Sequence, residues 1–186
     1  ANVRSSEKKS DAITALKEAM ANFSADTKNY GIENLEVSAY ASPDGKMDLN
    51  EKLAGQRESN AKKYIQSEMK KSKLDIAVDS KYTAEDWDGF KTLVENSNIQ
   101  DKDLILRVLS MYSDPEKREE EIKNLSSVYN ELADEILPQL RRARLTLNYQ
   151  LIGRSDDEIN EAFNNNAAAL SVEELLYAAT LTNDQN

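Results

Sequence analysis

Residues 37–57 read VSAYASPDGKMDLNEKLAGQR, and this segment decides the predicted fold. An alternating apolar run stops at Pro43-Asp44-Gly45, a strong turn signal, so a strand is predicted to end just before it. Asp48 and Glu51 have the spacing of a capping box, which predicts that a helix begins directly after the turn. The segment therefore predicts a strand, a tight polar turn and a helix.

Arg57 falls on the face of this helix that is predicted to pack. The same face, at three- and four-residue spacing, carries Leu49, Leu53, Ala61 and Tyr64. Because burying an unpaired guanidinium is costly, Arg57 must pair with a carboxylate of the chain or keep a place for a ligand's anion. In the ordinary alternative its stem packs, while the guanidinium reaches water or pairs with Glu33, Asp44 or Asp79.

Two parts of the chain form a wider pattern. The first part comprises Ala39-Tyr40-Ala41-Ser42, then Gly45, then Asn50-x-x-Leu53-Ala54-x-x-Arg57-Glu58; the second is Leu140-Arg141-Arg142-Ala143-Arg144-Leu145-Thr146-Leu147. This pattern resembles the OmpA-like, peptidoglycan-binding domains of Gram-negative cell envelopes. In that family a strand ends in Gly-Tyr-Thr-Asp, a helix carries Asn-x-x-Leu-Ser-x-x-Arg-Ala, and the last strand begins with Asn-Arg-Arg-Val-Glu-Ile.

The resemblance implies a ligand site. The family's helix arginine holds the carboxylate of a diaminopimelate residue in the stem peptide, and Arg57 takes that place here. The family's strand-end aspartate, which helps to hold the same amino acid, is replaced by Ser42. The acidic half of the clamp is therefore either lost or moved to Asp44. The walls of the site are expected to be shaped by Asn50, Leu53 and Arg142. No cofactor or metal is expected.

Each of these residues also has a structural interpretation. Asp44 and Gly45 suit a turn, because glycine supplies positive φ and aspartate hydrogen-bonds its own backbone. Asn50 can satisfy free backbone donors in the first turn of the helix. Arg141, Arg142 and Arg144 enter a strand of an acidic protein, where pairing with the abundant carboxylates is the simplest expectation.

Composition limits the function. The 186 residues carry a net charge of −10 and have a pI near 4.7, which disfavours binding to nucleic acid or to anionic membranes. Cysteine and histidine are absent, which removes thiol nucleophiles, imidazole bases and ordinary zinc sites. No motif singles out a catalytic pair among the 34 acidic residues, so an enzyme is not predicted.

The sequence contains neither an apolar run of bilayer length nor a signal peptide. It begins with alanine, which suggests a processed piece of a longer protein. The predicted strands cover residues 33–40, 75–82 and 142–152, and Val3 is read as the tail of an earlier strand. Helices are predicted over residues 10–23 and 49–71. Two further helices are predicted to be capped by Thr83 and Asp101, and a long helix is predicted from Asp114-Pro115 to Pro138.

The predicted fold class is an α/β (α+β) sandwich: an OmpA-like βαβαβ core with a mixed sheet, helices on one face and an extra helical insertion, about residues 83–138, before the last strand. The OmpA-like domain is predicted over residues 1–152. Residues 153–186 are expected to form a helical extension or the start of a following helical module. Its two short helices are predicted from the capping boxes Ser155 with Glu158 and Ser171 with Glu174.

Two functions follow from the resemblance. The first is noncovalent binding of the peptidoglycan stem peptide, which tethers an envelope protein to the wall on the periplasmic side, with outer-membrane attachment through parts outside this chain. The alternative is an OmpA-like scaffold without wall binding that serves as a protein-interaction or assembly module. Its partners would be other envelope proteins, held by the helical insertion and the C-terminal helices.

Overall fold

The computed structural model describes residues 6–181, apart from the side chains of residues 126 and 127. Its strands are β1 (Tyr30–Tyr40), β2 (Val78–Thr83) and β3 (Ala143–Leu151), joined in the order β2-β1-β3. Strands β1 and β2 are parallel. Strand β3 runs antiparallel to β1. Near the end of β1 the amide of Tyr40 donates to the carbonyl of Arg142, and near its start the carbonyl of Asn29 accepts from the amide of Ile152. The predicted mixed sheet of an α+β protein is confirmed at this level, whereas the tail at Val3 lies outside the described residues.

Helices precede, separate and follow the strands along the chain. Helix α1 (Asp11–Ala25) precedes β1, and α2 (Met47–Lys71) connects β1 to β2. Between β2 and β3 the chain forms α3 (Trp87–Glu95), α4 (Lys102–Met111), α5 (Pro115–Asn124), α6 (Ser126–Glu131), a π-helical turn (Leu132–Ile136) and α7 (Leu137–Leu140). After β3 come α8 (Asp156–Asn166) and α9 (Val172–Leu181). Short 3₁₀ turns occupy Glu7–Lys9 and Ala167–Ala169.

The sheet buries one face with the expected two-residue period. Leu35, Val37 and Ala39 are fully buried on that face. Leu35 and Val37 pack in one cluster with Met20 of α1 and Ile65 of α2. Helices α1 and α2 therefore share a face of the sheet, and the strand that leads to the turn is fixed by its own apolar side chains.

Helix α2 does not begin with the predicted capping box. Its first turn starts at Met47, where the carbonyl of Lys46 accepts from the amide of Asn50 at 3.1 Å. Asp48 therefore lies inside the first turn instead of preceding it. The prediction that Leu49 packs is also wrong, since this side chain is 53% exposed. The buried position belongs to Asn50, whose amide donates to the carbonyl of Asp44.

The insertion has an apolar core of its own, with Phe90, Ile105, Leu132 and Leu140 among its buried residues. The single long helix predicted from Pro115 to Pro138 is wrong. The chain bends at Leu125, and the helix is interrupted again by the π-helical turn. These interruptions let successive short helices turn their apolar sides to one shared core.

Two predicted caps in the insertion differ from the structure. Thr83 does not cap α3, because it ends β2 and its carbonyl accepts from the amide of Ala41. Asp86 caps α3 in its place, by accepting from the amide of Gly89 at 3.0 Å. Asp101 occupies the cap position of α4 with a left-handed φ of 59°, but its side chain makes no capping bond.

Packing divides the described chain into two compact units, residues 6–21 with 33–148 and residues 22–32 with 149–181. The second unit contains α8 and α9, whose core includes Ile159, Leu170 and Ala178. Both predicted capping boxes are confirmed, at Ser155 with Glu158 and at Ser171 with Glu174. Residues 164–166, three successive asparagines, form the last turn of α8.

Candidate functional site

The predicted ligand residues meet at the end of β1 and in the turn that follows it. Ser42 is buried, and Gly45 has the positive φ, 94°, that the turn requires. The side-chain amide of Asn50 donates to the carbonyl of Asp44 at 3.3 Å, which ties the turn to α2. The amide of Gly45 donates to the carboxylate of Glu119, which ties the turn to α5 of the insertion.

Arg57 reaches the end of β1 from α2. Its Nη1 donates to the carbonyl of Tyr40 at 3.0 Å, and its side chain is half-buried. Within residues 6–181, Arg57 forms no ion pair with an aspartate or glutamate. Burial lowers the pKa of Arg57 from its ordinary value, and the positive charge of Arg141 lowers it further. Since a guanidinium stays protonated, Arg57 keeps an unbalanced positive charge.

Arg141 holds the two residues considered for the acidic half of the clamp. Its Nε donates to the hydroxyl of Ser42 at 3.1 Å, and its Nη2 lies 3.3 Å from Oδ2 of Asp44. The other oxygen of Asp44, Oδ1, is buried without a hydrogen-bond partner in the described part of the chain. One oxygen of the Asp44 carboxylate is therefore paired within the protein, and the other is not.

Arg142 forms a second ion pair at the same strand end. Its Nη2 lies 2.9 Å from Oδ2 of Asp86, and its guanidinium carbon lies 4.5 Å from the centre of the Tyr40 ring. The contact lacks hydrogen-bond geometry, since Oδ2 of Asp86 is buried without a hydrogen-bond partner in the structure as described. Nη1 of Arg142 is also buried without a partner among the described residues. Arg142 and Arg57 thus both contact Tyr40, one through its ring and the other through its carbonyl.

Three arginines lie around the turn, and among the described residues Arg57 is the one without a paired carboxylate. Arg57, Arg141 and Arg142 meet two paired carboxylates, those of Asp44 and Asp86. This unpaired guanidinium lies in a chain whose net charge is −10. An anion such as a carboxylate is the ligand that this arrangement can hold, through a charge-assisted bond to a guanidinium. Leu53 lies half-buried on α2, one helical turn before Arg57.

A small crevice lies between the turn and the insertion, with a volume of about 20 Å³. Its lining includes Pro43 and Asp44 from the turn and Trp87 and Tyr129 from the insertion, and Arg57 is not part of it. This volume is room for about one water molecule. The crevice is therefore a packing gap beside the site.

Three contributors were not predicted from the sequence, namely Arg141, Asp86 and the carbonyl of Tyr40. Arg141 stands next to Arg142 in the strand-entry pattern, so its position was visible although its role was not. Asp86 directly precedes the apolar stripe of α3, where an acidic residue suits a helix N-terminus. The Tyr40 carbonyl carries no sequence signal, because every residue has one.

Comparison with protein-family models, curated proteins and solved structures finds nothing that matches this chain. Among the helices of residues 6–181, none has both the length and the apolar composition needed to cross a bilayer. The same residues contain no group of three or more acidic side chains placed to hold a metal ion.

Proposed function

We propose that this chain is a divergent OmpA-like module that binds the peptidoglycan stem peptide without chemistry and so tethers an envelope protein to the cell wall. The observation that carries the proposal is the state of Arg57. It is half-buried, it is anchored by the carbonyl of Tyr40, and no acid in the described chain pairs with it. A ligand carboxylate would supply the missing negative charge.

The resemblance in two separate segments supports the choice of ligand. In the proposed complex Arg57 takes the carboxylate of diaminopimelate, while Asn50 and Leu53 form the wall along α2. The carboxylate of Asp44, whose side chain is 29% exposed, is the acceptor proposed for the ammonium of the same amino acid. Arg141 orients the carboxylate of Asp44 for this role, since its Nη2 lies 3.3 Å from Oδ2.

The test is isothermal titration of the folded chain with a diaminopimelate-containing stem peptide, supported by co-sedimentation with purified sacculi. Arg57→Ala should weaken binding by about tenfold to a hundredfold, because a hydrogen bond to a charged group contributes about 1.5–3 kcal/mol. Arg107→Ala removes the same charge from an exposed position on α4 and should leave the affinity unchanged. Equal affinities for wild type and Arg57→Ala would defeat the proposal.

Asp44→Asn tests the contribution of Asp44 to binding separately from that of Arg57. It should weaken the affinity for the stem peptide several-fold if Asp44 receives the ammonium, because a neutral amide cannot form a charge-assisted hydrogen bond of the same strength. Circular dichroism of each variant shows whether the fold is kept. An unchanged affinity for Asp44→Asn would leave Arg57 as the anchor and remove Asp44 from the site.

One observation favours the alternative of an assembly module that no longer binds the wall. The polar groups of the turn are engaged by the protein itself, since Arg141 contacts Ser42 and Asp44, and Glu119 accepts from the amide of Gly45. Ser42→Asp restores the family's strand-end acid. If the folded wild type fails to bind the stem peptide and Ser42→Asp binds it, the assembly function is preferred.

A further inference from the structure

A second polar surface lies beside the candidate site, on α2 and the edge of β2. It is a shallow groove of about 520 Å³, within the usual range for small-ligand sites. The residues that matter for its chemistry are Tyr82 of β2 and Asp48, Glu51, Gly55, Gln56 and Ser59 of α2. Lys52 also lines it, so its formal charge is −1.

Tyr82 gives the groove an aromatic floor. The strand register pairs Leu35 with Val78 and Ala39 with Tyr82, so Tyr82 lies on the sheet face that α2 covers. It is nevertheless 51% exposed. A side chain added at Gly55 would meet Cε1 of this ring at 4.0 Å, so the glycine leaves the space beside the ring open. An exposed ring face attracts the weakly positive C–H groups of a ligand.

The polar side chains of the groove are available to a ligand. Within residues 6–181, the side chains of Gln56 and Ser59 form no hydrogen bond, and those of Asp48, Glu51 and Lys52 form neither a hydrogen bond nor an ion pair. Carboxylates accept from hydroxyl groups, while the amide of Gln56 both donates and accepts. The charge of −1 opposes anionic ligands such as phosphates. These groups suit a neutral ring that carries several hydroxyl and amide groups, which is the chemistry of an N-acetylated sugar.

The groove lies close to the Arg57 site. The register that pairs Ala39 with Tyr82 also pairs Tyr40, whose carbonyl holds Arg57, with Thr83. Adjacent strands are about 4.8 Å apart, so the two sites are separated by about one strand. Gln56 of the groove directly precedes Arg57 on α2. A sugar joined to a short peptide that ends in a carboxylate can therefore span both.

We propose that the Tyr82 groove binds the glycan portion of the wall, as a neutral N-acetylated saccharide stacked on the Tyr82 ring. This inference deepens the proposed function and takes its choice of saccharide from it. The groove supplies a contact that the stem peptide alone cannot make. A sugar-linked peptide should then bind more tightly than the free peptide.

The experiment follows the amide signals of the glycines by two-dimensional NMR during titration with tetra-N-acetylchitotetraose, a neutral saccharide without a peptide. We expect the Gly55 signal to shift and the Gly153 signal to stay. Tyr82→Ala should reduce the saccharide affinity by several-fold to tenfold, whereas Tyr82→Phe should retain it because the ring remains. Tyr177→Ala, at a tyrosine 46% exposed in the second unit, is the matched control and should bind like wild type.

Separate titrations distinguish this inference from the proposed function. Arg57→Ala should weaken binding of the free stem peptide and leave the saccharide affinity unchanged, and Tyr82→Ala should do the reverse. Absence of any Gly55 shift with the saccharide, or an unchanged affinity in Tyr82→Ala, would overturn the glycan site whether or not the peptide binds. Stronger shifts at Gly55 with tetralysine than with the saccharide would also overturn it, since the groove would then be a site for cationic peptides.

Discussion

At the scale of single residues, Asp86 links the insertion to the sheet. One of its oxygens caps α3 through the amide of Gly89, and the other lies against Arg142 at the start of β3. Asp86 is only 5% exposed, so its charge depends on Arg142 for compensation. The guanidinium of Arg142, paired with Asp86, lies over the ring of Tyr40, while Arg57 has no ion pair within residues 6–181.

Asp86→Asn should destabilise the protein by about 2 kcal/mol, because the amide can still cap α3 but leaves the partly buried Arg142 without its counter-charge. The free energy of unfolding in urea, followed by the fluorescence of Trp87, measures the effect. Asp88→Asn changes the same charge at an exposed position of the same helix and should shift stability by less than about 0.5 kcal/mol. Similar stabilities for the two variants would show that the ion pair contributes nothing.

Two helical glycines should respond oppositely to alanine. A Cβ at Gly89 would lie 2.2 Å from Oδ2 of Asp86, a carboxylate already fixed by its cap and its ion pair, so Gly89→Ala should destabilise by more than about 1 kcal/mol. A Cβ at Gly55 meets its first neighbour at 4.0 Å, so Gly55→Ala should stabilise by about 0.5–1 kcal/mol through helix propensity. Urea unfolding of both variants checks the signs, and a stabilising Gly89→Ala would contradict the packing around Asp86.

At the scale of elements, Glu68 joins α1 to α2. It accepts from Lys17 of α1 and, at 2.6 Å, from Lys71 of its own helix, and these hydrogen bonds lower its pKa below the ordinary value. Because the folded-state pKa is depressed, the stabilisation is complete above the unfolded-state pKa and is lost as pH falls through the folded value. The contribution is expected to be about 0.5 kcal/mol, since the side chain of Lys71 is 69% exposed and that of Lys17 is 38% exposed.

The check compares the unfolding free energies of wild type and Glu68→Gln at about pH 7 and at about pH 3, on either side of the ordinary glutamate pKa. The difference should be present at the higher pH and small at the lower one. Glu51→Gln, at an exposed carboxylate that forms no ion pair in the described chain, should give no difference at either pH. A difference that grows on acidification would contradict the sign of the linkage.

Elements defined by local chemistry were predictable from the sequence. The caps at Ser155, Ser171 and Asp114 were placed correctly, because a capping side chain bonds to backbone only two or three residues away. The bend at Leu125 and the π-helical turn were not predictable, since the unbroken 3.6-residue pattern there suits one straight helix equally well. The same holds for Thr83, where pairing with β1 determines the end of β2 and so moves the cap to Asp86.

The candidate site was also predictable only in part, because some of its contacts join residues that are far apart in the sequence. The places of Arg57 and Asn50 on α2 follow from sequence spacing. Their partners depend on topology, which brings β3 beside β1 and puts Arg141 against Ser42, 99 residues away in the chain. Spacing within one helix carries no information about which carboxylate or carbonyl lies opposite it.

At the scale of the whole molecule, two electrostatic effects oppose each other. In the proposed complex, the net charge of −10 would repel the anionic wall at long range, whereas Arg57 would attract one carboxylate at short range. Salt screens the long-range repulsion at lower concentrations than the short-range attraction, because the Debye length falls from about 30 Å at 0.01 M to about 8 Å at 0.15 M. A contact between a guanidinium and a carboxylate is shorter than either length.

The proposed wall binding should therefore pass through a maximum in salt. The fraction of protein that sediments with sacculi should rise between about 10 mM and about 150 mM NaCl, then fall near 1 M, where the Debye length of about 3 Å matches the contact itself. Arg57→Ala should show no maximum, and binding of the neutral saccharide should not change with salt. A steady decline from the lowest salt would mean that the local charge of the site outweighs the repulsion of the whole molecule, and the long-range part of this account would then be wrong.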